Sequence, residues 1–231
     1  MGYLKQSTKA AVLLALAMQL PAAAPTVSDQ FYNAIRADDN STVAQLLSGG
    51  AGANTRDSRG ATPLMYAAAV GSAGMMRQIL AAGADVNAKN NFDATALMWC
   101  ANNVEKVRLL VEKGADVNAR SKHGKTPLLI AAAYDGNVEV IRLLLNKGAD
   151  VKTAGAAMII AANANDTSSV KLLLDQGADV KAKDPAGFTA LINAASYGNT
   201  DLVKLLLARG ADVNAQSAPS AGPGEIGRAH V

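Results

Sequence analysis

The side chains with the best claim to chemistry in this 231-residue chain are two histidines, one cysteine and a set of regularly spaced aspartates. His123 stands between Lys122 and Gly124, and the other histidine, His230, is next to last in the chain. No further histidine can complete a metal site or a Ser/His/Asp set, so His123 reads as a solvated loop residue. Cys100 has no partner for a disulfide and reads as a small buried apolar residue. Asp85, Asp116, Asp150, Asp179 and Asp212 sit a whole repeat apart, each in its own Gly-Ala-Asp loop, so they cannot converge as calcium's oxygen ligands must. Gly49-Gly50-Ala51-Gly52 lacks the spacing and the lysine of a phosphate loop. Residues 28–216 are therefore expected to hold no catalytic centre, no metal and no cofactor.

The aspartates point instead to the elements that carry them. The glycine of Gly-Ala-Asp, or of a near copy, falls at Gly50, Gly83, Gly114, Gly148, Gly177 and Gly210, in steps of 33, 31, 34, 29 and 33 residues. A period in this range marks stacked repeats, which present an extended surface rather than one pocket. Within each unit, Gly60-Ala61-Thr62-Pro63-Leu64 and Gly124-Lys125-Thr126-Pro127-Leu128 open a helix, with looser copies at Asp93-Ala94-Thr95-Ala96-Leu97 and Gly187-Phe188-Thr189-Ala190-Leu191. Threonine can accept from a free first-turn amide, and proline fits just after it because its missing N–H had no helical partner. Paired small residues follow (Ala67-Ala68, Ala131-Ala132, Ala161-Ala162, Ala194-Ala195), so neighbouring helices can approach closely. A second helix carries apolar residues at helical spacing, as in Val138, Ile141, Leu144 and Leu145, or Leu202, Leu205 and Leu206. The glycine then takes the left-handed position that ends it. Val86, Val117, Val151, Val180 and Val213 are expected to plug the return loops.

Gly-x-Thr-Pro-Leu, the Ala-Ala pair, Leu-Leu before the glycine and Gly-Ala-Asp-Val-Asn together resemble the ankyrin repeat family over about residues 28–216. The resemblance implies an all-α solenoid of about six helix-turn-helix units with hairpin fingers, at about 28–56, 57–89, 90–120, 121–152, 153–182 and 183–216. Fingers and inner helices would form a concave face. Where the family usually places His after Thr-Pro-Leu, this chain has Met65, Met98, Leu129, Ile159 and Ile192, so its fingers are expected to be held by packing more than by that hydrogen bond. The span from Gly148 to Met158 is 10 residues, against 14 from Gly83 to Leu97, so the fifth unit should lack most of its finger. Ala156 stands in the place of its capping threonine, which makes this unit the expected weak joint.

Residues 1–24 have the order of a secretory signal: Lys5 and Lys9, an apolar run over 10–20, then Pro21-Ala22-Ala23-Ala24. The run is short for a membrane span, so no insertion beyond this signal is expected, and the chain is read as exported from a bacterial cell to the periplasm or medium. Without residues 1–24 the chain keeps 20 basic and 19 acidic residues, near neutrality, which gives no case for nucleic acid. Residues 217–224 read as a flexible linker. Residues 225–231 reverse-translate as a common sequencing adapter, so the natural reading frame is expected to continue past Gly224.

What remains is a surface. By repeat register, Arg59, Phe92, Asn102, Asn103, Lys122, Lys125, Tyr134, Phe188 and Tyr197 should line the concavity, while Tyr66 and Trp99 should lie in the core. Aromatic residues are only 4% of the chain, so four at these positions point to interface anchors. The expected function is a non-catalytic, monomeric module binding a protein partner there. The alternative is the N-terminal targeting or regulatory region of a larger exported enzyme.

Overall fold

The computed structural model describes residues 24–50 and 52–217, so all but the last residue of the signal-like segment, most of the linker and residues 225–231 lie outside the described residues. Among the described residues are twelve α-helices, one 3-10 turn and no strand. They come in pairs: α1 (Val27–Arg36) with α2 (Asn40–Ser48), α3 (Pro63–Ala69) with α4 (Ala73–Ala81), and α5 (Ala96–Trp99) with α6 (Val104–Glu112). Then follow α7 (Pro127–Ala131) with α8 (Val138–Asn146), α9 (Ala154–Asn163) with α10 (Thr167–Asp175), and α11 (Ala190–Ser196) with α12 (Thr200–Ala208). The odd-numbered helices pack on one another in chain order to form an inner row, and the even-numbered ones form an outer row behind them. Each pair touches chiefly the pair before and the pair after.

Local chemistry sets these boundaries. Thr62, Thr126 and Thr189 accept from the amides of Met65, Leu129 and Ile192. Ser72, Asn103, Asp166 and Asn199 do the same for four outer helices. Gly83 and Gly148, just past the outer helices, have φ of 87° and 88°, where a β-carbon would be strained. The inner helices are buried almost all round, with Leu64, Met65, Tyr66, Ala67 and Ala68 enclosed in succession. The outer helices are amphipathic: α8 buries Val140, Ile141 and Leu144 and leaves Glu139 and Arg142 in water.

Thr95 departs from its siblings. It caps α5 by position, yet its Oγ1 is buried with no hydrogen-bond partner, and α5 is only four residues long. A buried hydroxyl without a partner costs about 1–3 kcal/mol. Thr95→Val should therefore hold or raise the urea midpoint, whereas Thr126→Val, which removes a working cap, should lower stability by about 1 kcal/mol.

Hydrogen bonds of another kind than the one a histidine after Thr-Pro-Leu would make tie the return loops together. Asn54 donates through Nδ2 to the Gly83 carbonyl (3.0 Å) and accepts from the Asp85 amide (2.7 Å). Asn87 repeats this with Gly114 and Asp116, and Asn118 with Gly148 and Asp150. The Gly-Ala-Asp aspartates serve their own loops, as Asp85 accepts from Asn87 N and Asp179 from Lys181 N. Lysines 152 and 181 stand where the next asparagines would be, and there the ladder stops. The loop at Lys181 keeps the same turn as the loop at Asn87, so Lys181→Asn should add a rung to Gly210 and Asp212. A rise in unfolding free energy of about 0.5–1.5 kcal/mol is expected by urea titration.

Three expectations are corrected. Val86 and Val180 are half-buried and Val117 is buried, but Val151 is 55% and Val213 72% exposed, so these two plug nothing. The fifth unit lacks its finger, as expected, with a single 3-10 turn, Val151–Thr153, in its place, but Ala156 does not stand at the cap. The helix then starts at Ala154, two residues before Ala156, with Thr153 at the cap position. Its hydroxyl donates back to the Asp150 carbonyl (2.7 Å) instead of accepting a helix amide. The missing finger lets the next unit close in, since a β-carbon on Gly155 would lie 2.9 Å from Ala182 Cβ. Trp99, finally, is half-buried rather than a core residue, while Tyr66 is buried as expected.

Candidate binding face

Each finger is a turn closed by one polar side chain. Asp57 Oδ1 accepts from the amides of Arg59 (2.9 Å) and Ala61 (2.7 Å), and Asn90 Oδ1 accepts from Phe92 and Ala94 (2.9 Å each). Asp184 accepts likewise from Ala186 and Phe188, and Ser121 Oγ accepts from the Lys125 amide alone. A β-carbon on Gly60 would come within 2.6 Å of Asn91 Oδ1, so the second and third fingers need glycine there to meet.

Backbone bonds then join neighbouring fingers. Asn91 N donates to the Arg59 carbonyl (2.9 Å), and Lys122 N donates to the Phe92 carbonyl (3.0 Å). Arg59, Phe92 and Lys122 are thus brought side by side, and the His123 ring stacks on Phe92 at 6.4 Å. Lys122 and Lys125 are exposed, and Phe92 is 50% exposed. Phe188, also exposed, belongs to a finger set apart by the fingerless fifth unit.

Beside the fingers run the C-terminal ends of the inner helices. Tyr134 (46%) and Tyr197 (58%) are exposed there, as is Val70. Two of the expected surface residues also have structural work. Asn103 Oδ1 caps α6 by accepting from Lys106 N (3.0 Å), and the Tyr197 hydroxyl donates to Asn163 Oδ1 (3.2 Å). Asn102 is exposed beside its neighbour.

One feature escaped the reading of the sequence. Tyr32, Tyr66 and Trp99 form a row, with ring centroids 4.8 Å and 5.8 Å apart. Their spacing of 34 and 33 residues is one repeat each, which is the signal that could have found them. The Tyr66 hydroxyl donates to Asp57 Oδ2 (2.5 Å) and accepts from Arg59 Nη2 (3.4 Å). Burial pushes the Tyr66 pKa up, and its bond to Asp57 adds to this. Burial pushes Asp57 up as well, but the Tyr66 hydroxyl, the two finger amides and Arg59 outweigh it, and its pKa is lowered. Tyr32, Arg56, Asp57, Arg59 and Tyr66 line an open cleft of ≈ 660 Å³ at the first two units.

Cys100 is buried, and its thiol pKa is pushed up to about 12 by burial. The thiolate is the reactive form, so the native protein should not react with a thiol-specific disulfide reagent at pH 8 until it is unfolded in urea. Among the described residues no three His, Cys, Asp or Glu side chains gather where a metal ion could sit. No helix of the described residues is long and apolar enough to cross a membrane.

Paired helices stacked in two rows, with fingers joined edge to edge, define a repeat scaffold. The family model described as Ankyrin repeats (3 copies) matches the chain three times, over residues 31–121, 74–155 and 153–217, and the chain belongs to the ankyrin repeat family. Repeats of this family are generally protein–protein interaction modules and typically carry no catalysis. No curated protein matches the chain.

Proposed function

We propose that this chain is a non-catalytic binding module that takes a protein partner on the face made by its fingers and inner-helix ends. The observation that carries this reading is where the exposed aromatic side chains lie. Phe92 and Phe188 stand on fingers, and Tyr134 and Tyr197 stand at inner-helix ends, so the four exposed aromatic side chains of the described residues share one side of the stack. Aromatic anchors supply a large share of interface energy. A stack pinned by caps, the asparagine ladder and finger-to-finger bonds also presents them with little left to order on binding. The test compares proteins retained by the chain and by a Phe92→Ala/Tyr134→Ala/Tyr197→Ala variant of matched melting temperature. Loss of specific partners from the variant supports the face, and identical retention rules it out.

The partner is met outside the cytoplasm, in the periplasm or the medium. The order of charge, apolar run and small residues over 1–24 supports export. Intact-mass measurement of the expressed protein should find it shortened at its N-terminus in the exported fraction. An uncut chain confined to the cytosol would overturn this.

A further inference from the structure

We propose that the three contiguous fingers, residues 55–61, 88–94 and 119–125, bind an acidic polypeptide segment of the partner. The proposal rests on the finger and inner-helix side being the binding face, and it names what that face selects. Arg56 and Arg59 stand on the first of these fingers, Lys89 on the second, and Arg120, Lys122 and Lys125 on the third; all six are exposed. The only acids in the same segments, Asp57 and Asp93, are half-buried. Asp57 is engaged by the Tyr66 hydroxyl and two finger amides. Asp93 occupies the left-handed corner, φ 57°, that glycine takes in the other fingers.

Water therefore meets a one-signed edge. The three fingers carry 6 basic and 2 acidic residues, net +4, whereas the rest of the described chain carries 13 basic and 16 acidic, net −3. Of the six cations only Arg59 has an ion pair within the described residues, at 3.6 Å from Asp57. The Arg56 guanidinium is held against the carbonyls of Gly60 and Lys89, which fixes its charge at the seam between two fingers.

Each finger rides on its own helix pair, and packed helices lie about 8–10 Å apart, so the three fingers span on the order of 20 Å. Charges on adjacent fingers are then about one Debye length apart at physiological salt and reinforce one another. A patch this small suits a short run of Asp and Glu. A long polyanion would overhang it and meet the negative remainder of the stack, which favours a polypeptide over nucleic acid or an anionic bilayer. The stacked Phe92–His123 pair and the nearby Tyr134 offer apolar contact beside the charge.

The test is fluorescence anisotropy on the full chain with a labelled peptide that has a central run of Asp and Glu around one Phe. Its charge-reversed copy, oligothymidine and anionic phosphatidylserine vesicles serve as rival probes. The acidic peptide should bind. Its affinity should fall about tenfold in Lys122→Glu/Lys125→Glu, fall with added salt, and stay unchanged in Lys171→Glu/Lys204→Glu on the outer helices. Equal loss in both pairs, undiminished binding in the finger pair, or tighter binding of oligothymidine or vesicles would overturn the proposal. If the finger pair melts early, Lys122→Gln/Lys125→Gln takes its place. Should the triple alanine variant lose its partner while the finger reversal keeps it, the face stands and the acidic ligand falls. If neither variant loses it, both fall.

Discussion

Truncating Leu144 to alanine is expected to lower the unfolding free energy by about 2–5 kcal/mol, read from urea titrations followed by circular dichroism. Leu144 is fully buried on α8, which packs on α7 of its own unit and on the outer helices α6 and α10 to either side. Burying such a side chain contributes roughly 1.5–3 kcal/mol, and the remainder of the loss is the cavity that stiff neighbours cannot close. The loss should also be local. Because each pair of helices rests chiefly on its two neighbours, amide protection should drop most across residues 127–175 and least across 27–48. A uniform drop would show that the described stack opens as one cooperative unit. A loss below about 1 kcal/mol would mean that the outer row repacks around the gap.

What could be read without coordinates, and what could not, follows from whether a feature is local. Gly83 and Gly148 end their helices whatever lies beside them, and the Thr62-Pro63 and Thr126-Pro127 openings work within their own first turns. Thr95 carries the same local signal without the proline, and its cap is not made. Val117 and Val151 look alike in sequence, yet the first is covered and the second faces water beside the fingerless unit. Burial there is decided by the neighbouring repeat. For the same reason Ala156 was a poor guide to where α9 begins: the turn at Val151–Thr153 feeds straight into the helix and moves its start.

The binding face divides along the same line. Constant register was enough to put Arg59, Phe92 and Lys122 on neighbouring fingers, because the repeat copies position along with sequence. Register could not say that Asn103 is occupied in capping α6 or that the Tyr197 hydroxyl is held by Asn163. Nor could it price the asparagines. Asn54, Asn87 and Asn118 look like ordinary solvated loop residues, and only their spacing of 33 and 31 residues hints that each reaches the next loop.

Asn137→Ala is the second substitution expected to be severe, at about 2–4 kcal/mol in the same urea titration, although it removes no apolar surface. Asn137 is buried, and its Nδ2 donates to the carbonyls of Ala101 (2.7 Å) and Ala131 (2.9 Å), in the third and fourth units. These carbonyls lie at or just past the ends of inner helices, where regular helical donors run out; that of Ala131 also accepts from Tyr134 N (3.3 Å). The second unit meets the same need with a different residue: Lys106 Nζ reaches the Ala68 carbonyl (3.0 Å). Burial lowers the Lys106 pKa, which fits an ammonium drawn off the surface to do this. Removing a donor that two buried acceptors share costs more than removing a surface cap, because water cannot easily replace it. Asn103→Ala, which loses one exposed cap bond, should therefore cost only about 1 kcal/mol. Asn137→Asp should be at least as damaging as Asn137→Ala, since it sets a carboxylate against two carbonyl oxygens. Equal losses for Asn137→Ala and Asn103→Ala would mean that solvent reaches the seam between the third and fourth inner helices, and that apolar packing alone holds it closed.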